Sequence, residues 1–71
     1  MLPKEMFNEL IGKVCHIILF DSLGAAVAKV VDIEDNWIKI ADKNGKITFI
    51  NGDMVKQINI APEKQQQKFE K

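Results

Sequence analysis

Toward the C-terminal end of the chain runs Thr48-Phe49-Ile50-Asn51-Gly52-Asp53-Met54-Val55-Lys56-Gln57-Ile58, and its reading decides the fold. A short apolar strand meets Asn-Gly, a polar step follows, and apolar positions resume at Val55, Ile58 and Ile60. Asn51 and Gly52 both adopt positive φ at little cost, so a tight turn is expected over 51–54. Asp53 is expected to cap the short turn at 54–56. A second use of the same corner stays open, in which Asn51 hydrogen-bonds a ligand.

Working outward, 46–50 reads as a fourth strand and 55–60 as a short fifth. Before them, 37–41 (WIKIA) alternates cleanly as a third strand. The turn at 42–45 ends in Asn44-Gly45, a strong hairpin signal. Residues 25–34 (AAVAKVVDIE) form the second strand, followed by a two-residue turn at Asp35-Asn36. Residues 13–21 (KVCHIILFD) form the first, apolar on nearly both faces. The turn between these two strands is expected at 22–24.

At the front, 2–11 reads as a helix. Pro3 suits its first turn and Glu5 its positive end. Met6, Phe7, Leu10 and Ile11 give it one apolar face, and Gly12 stands at the C-terminal glycine position. The polar stretch after Pro62 reads as a disordered tail or a frayed helix. The expectation is therefore mainly β: a short N-terminal helix, then a five-stranded, strongly bent small barrel over 1–61, with a tail at 62–71.

Seventy-one residues make one domain. A chain this short buries about 60% of its unfolded surface, and small unstapled domains tend to associate. Cys15 is the only cysteine and His16 the only histidine. Adjacent strand residues point to opposite faces, so this pair does not form a metal site, and no cofactor is expected. Ten lysines balance ten acids and arginine is absent. Zero net charge and the lack of guanidinium forks argue against strong nonspecific phosphate binding. No apolar run reaches membrane-spanning length, and no secretory signal opens the chain. A soluble cytoplasmic protein is expected, with no small-molecule substrate. Catalytic motifs are missing too, so an enzyme is not expected.

The order of helix and five strands resembles the Sm-like family, which includes the Lsm and Hfq host-factor proteins. Ile50-Asn51-Gly52-Asp53-Met54-Val55 is similar to the second Sm motif, Ile-Arg-Gly followed by two variable residues and an aliphatic. Asp32-Ile33-Glu34-Asp35-Asn36-Trp37 is similar to the Asp-x-x-x-Asn that ends the first. The likeness spans about 6–60. It implies a barrel that forms a ring by pairing its fourth strand with a neighbour's fifth, and binding of single-stranded RNA at the motif corner. Asn51 replaces the family's RNA-contacting arginine. Asn51, Gly52 and Asp53 stand where the Hfq branch carries Tyr-Lys-His. A rival likeness, carried by Ile11-Gly12-Lys13 and VAKVVDI, is to PRC-barrel domains, and a generic SH3-like barrel also fits. Both imply a docking or scaffold module without nucleic-acid binding.

The candidate nucleic-acid residues are Asn36, Trp37, Asn51, Gly52 and Lys39. Trp37 is either a base-stacking platform or a cover for a barrel end or subunit contact, the latter being the more common use. Lys39 and Lys46 are expected on neighbouring strands, as a weak basic patch cancelled by Asp32, Glu34 and Asp35. The candidate oligomer interface is Phe49, Ile50, Val55, Ile58 and Ile60. His16 is expected to be partly buried and hydrogen-bonded, and Cys15 an inert core thiol.

Overall fold

The computed structural model describes residues 4–21 and 24–69. The N-terminal helix is shorter than expected: α1 spans Lys4–Phe7 and a 3₁₀ turn follows at Asn8–Leu10. Leu2 and Pro3 lie outside the described residues, as does part of the turn at 22–24. Gly12 takes φ +89°, the left-handed conformation expected of it. It lets the chain leave the helix and pair at once: Gly12 N–H donates to Val30 C=O, and Val30 N–H to Lys13 C=O.

The strands are β1 (Val14–Leu19), β2 (Ala25–Glu34), β3 (Trp37–Ala41), β4 (Ile47–Asn51) and β5 (Val55–Ile60). They form one antiparallel sheet in the order β4-β3-β2-β1-β5. Three consecutive hairpins build β1 to β4, and β5 returns to the free side of β1. Two irregularities bend this sheet. On β2 the register slips between Val30 and Asp32, leaving Val31 out of the ladder. On the β1–β5 ladder it slips after Ile18, where Leu19 meets Val55 instead of Lys56. Such bulges increase local twist and bend a strand. As a result Ile50 of β4 joins the same core cluster as Cys15, Ile17, Ile33 and Ile38, and Val55 and Ile58 of β5 pack against it. The sheet curls enough for both outer strands to share one core.

The turns follow their chemistry. Asp42 N–H donates to Lys46 C=O, and Gly45 N–H to Asp42 C=O. The Asp42 carboxylate also accepts from the Asn44 and Lys46 N–H groups. Gly45 alone in this loop has positive φ, at +85°. This is a three-residue hairpin closed by a left-handed glycine, not a two-residue Asn-Gly turn. At the β2–β3 turn Asp35 takes φ 52°, which a short polar side chain tolerates.

The stretch after Pro62 is not a loose tail. Residues Glu63–Lys68 form α2. The side chain of Gln66 binds the main chain of β1: Val14 N–H donates to its Oε1 at 2.7 Å, and its Nε2 donates to Val14 C=O at 2.8 Å. The same Nε2 group also donates to Ala61 C=O. Beside it, His16 Nε2 donates to Gln65 Oε1 at 2.8 Å. Val14 and His16 lie on the face opposite Cys15 and Ile17, so α2 covers part of the outer surface of β1.

The sequence supplied no signal for the docking of Gln66. Replacing it by Ala leaves the buried Val14 N–H without its acceptor. Gln66→Ala is expected to cost about 1–3 kcal/mol in urea denaturation, with faster hydrogen exchange at the Val14 amide.

Candidate functional site

The corner at Asn51 is a capping structure. A 3₁₀ turn at Gly52–Met54 joins β4 to β5, and Asn51 is its N-cap, with Oδ1 accepting from Asp53 N–H at 2.9 Å. Asn51 has φ −70°, and Gly52 is not among the residues with positive φ. The expected left-handed turn is therefore replaced by a capped one. The cap is Asn51 rather than Asp53, because a strand residue can turn its side chain onto the first free N–H groups of the following helix.

Two further bonds tie this corner to the β2–β3 turn. Asn36 Nδ2 donates to Asn51 Oδ1 at 3.0 Å, and Gly52 N–H donates to Asn36 C=O. The segments 32–37 and 50–55 thus meet in space. Asn51 Oδ1 already accepts two hydrogen bonds, Gly52 is buried, and Asn36 Oδ1 is buried without a partner. The last is an unfilled acceptor at the centre of the corner.

Trp37 pairs with Asn51 across the β3–β4 ladder, and Lys39 with Phe49. Asp32 and Glu34 of β2 stand opposite Lys39 and Trp37 on the other side. Buried Ile33, Ile38 and Ile50 alternate with these positions, so all six lie on the outer face. Trp37 is 50% exposed and Phe49 61%. With Asp32, Glu34, Asp35 and Lys39 they line an open groove of about 340 Å³. Lys46 lies beside Asp42 at the far end of the hairpin, so it forms no basic patch with Lys39.

The expected interface residues separate. Ile50 is a core residue, and Val55 and Ile58 are half-buried against the same core. Ile60 remains 46% exposed on β5, and Phe49 faces outward from β4. Phe49 thus belongs with Trp37, a grouping that strand alternation away from Ile50 could have revealed. The convergence of the three acids on this aromatic pair was not legible without the ladder register.

Cys15 is fully buried, and burial raises its thiol pKa above the ordinary value, partly offset by the Lys13 charge. Among the described residues, no three His, Cys, Asp or Glu side chains are placed to hold a metal ion.

No family model matches this chain, and no curated protein or solved structure matches it.

Asn51→Ala removes a cap and strips Asn36 Nδ2 of its acceptor, so a loss of about 1–2 kcal/mol is expected in chemical denaturation. A second expectation concerns pH. The folded state holds the Cys15 proton more tightly than the unfolded chain does. The resulting stability is intact below the thiol's ordinary pKa and is lost as pH rises through the raised value. The urea midpoint of the wild type should therefore fall more steeply at alkaline pH than that of Cys15→Ala.

Proposed function

We propose that this chain is a non-enzymatic small barrel of the Sm-like type, which assembles into a ring or another homo-oligomer through its two outer strands. One observation carries the reading: the ladders end at β4 and β5, and the core-facing Thr48 on β4 and Ile60 on β5 are exposed at these ends. On β5 the core-facing row is Val55, Ile58 and Ile60. On β4 it is Thr48 and Ile50, which pair with Ile40 and Ile38. Laying β5 of one copy beside β4 of the next continues the sheet and joins these rows into one seam, apolar except for Thr48. On the outer face the same step sets Gln57 and Asn59 beside Ile47 and Phe49. Such an edge-to-edge contact is head-to-tail, and it generates a ring when its rotation closes. Barrel closure within each copy is supported by the bulges of β1–β5 and β2, and by the core that both outer strands share.

Weak contact with single-stranded RNA is the second reading. The adjacency of Asn36, Trp37 and Asn51 favours it. The engaged Asn51 acceptor and the three carboxylates around Trp37 oppose it, because phosphate is repelled there.

Light scattering at micromolar concentration is expected to report a defined oligomer. Ile60→Lys places a charge in the seam without touching the buried core. It should yield a monomer with an unchanged circular dichroism spectrum. A wild type that stays monomeric at these concentrations removes the assembly reading.

A further inference from the structure

We infer that the groove between Trp37 and Phe49 docks a basic peptide segment and takes an arginine side chain between its aromatic and acidic walls. The two rings stand on one face of adjacent strands, diagonal across the β3–β4 ladder. Diagonal cross-strand neighbours lie about 7–8 Å apart, close enough to flank one planar group. Both rings are exposed, and no element among the described residues covers them. A large tryptophan and phenylalanine presented together on a sheet face form an apolar surface awaiting a partner.

Charge selects that partner. Three carboxylates, Asp32, Glu34 and Asp35, share the groove with a single ammonium, Lys39. Lys39 is half-buried between Asp32 and Phe49, so its stem fills the floor. One oxygen of Asp32 accepts from Ile33 N–H at 2.8 Å, which fixes the carboxylate on the groove wall. Cations are attracted to ring faces, and guanidinium is the cation that both stacks on a ring and forks onto a carboxylate. These 71 residues contain no arginine, so none of them supplies the guanidinium, and the occupant is a separate basic peptide segment. The groove faces outward and does not depend on pairing of β4 with β5. Failure of the assembly reading therefore leaves this one intact.

Trp37 is the only tryptophan and reports on the site directly. The full chain is titrated with a blocked peptide carrying two arginines, with the same peptide bearing lysine or glutamine in their place, and with a short oligouridine. Expected is a saturable change in Trp37 emission with the arginine peptide. It should weaken with salt, be about three- to five-fold weaker with lysine, and be absent with glutamine. Asp32→Asn combined with Glu34→Gln should weaken arginine-peptide binding about five-fold or more, while Phe49→Leu should weaken it at unchanged salt dependence. Equal response to the arginine and glutamine peptides overturns the proposal. So does preferential binding of oligouridine that strengthens in the Asp32→Asn, Glu34→Gln variant. Amide chemical shifts outside the groove provide the check that each variant is folded.

Discussion

The concave face of this five-stranded sheet is buried chiefly by the sheet's own strands, with Leu10 and Phe7 of the N-terminal turn added at one end, and everything else in this protein depends on the bend that allows it. Flat antiparallel sheets expose one face unless another element covers it. Here the slips at Val30–Asp32 and after Ile18 supply the curvature. Ile17, Ile33, Ile38 and Ile50 then meet in one cluster although their strands span the width of the sheet. Leu10 from the N-terminal turn belongs to the same cluster, and Val14 is buried outside it. A chain of this length has little apolar surface to spare, so each of these contacts carries a large share of its stability.

The same bend sorts the surface. Residues that alternate with the core positions of β2, β3 and β4 are pushed outward together, which gathers Trp37, Phe49 and the three acids. The corner at Asn51 serves the opposite purpose. Its hydrogen bonds to Asp53 and Asn36 turn the chain from one side of the sheet to the other. A side chain occupied in this way holds the fold, and the exposed chemistry lies one ladder step away.

Much of this was legible in the sequence. The bounds of β2 and β3 follow from alternation flanked by turn residues, and Gly12 and Gly45 mark positions that demand left-handed backbone. The order of five strands was readable for the same reason. The bulge at Val31 was not, because an apolar residue inside an apolar run gives no sign of dropping out of register. Asn51 misled in a specific way. Asn-Gly is a strong signal for positive φ, yet capping the 3₁₀ turn satisfies more backbone groups than a left-handed turn would. The tail misled because its composition is polar. Gln65 and Gln66 dock through hydrogen bonds to β1, which hydropathy patterns do not register.

The strand order also sets the sequence of events in synthesis. β1 to β4 pair through neighbouring hairpins, so each can form as soon as the next strand leaves the ribosome. The other side of β1 waits for residues far along the chain. Its partners are β5 and then Gln66, which lies 52 residues from Val14. Until those residues emerge, the strand that carries Cys15 and Ile17 is an open template. The nascent protein passes through a stage in which its most apolar strand is an unguarded edge.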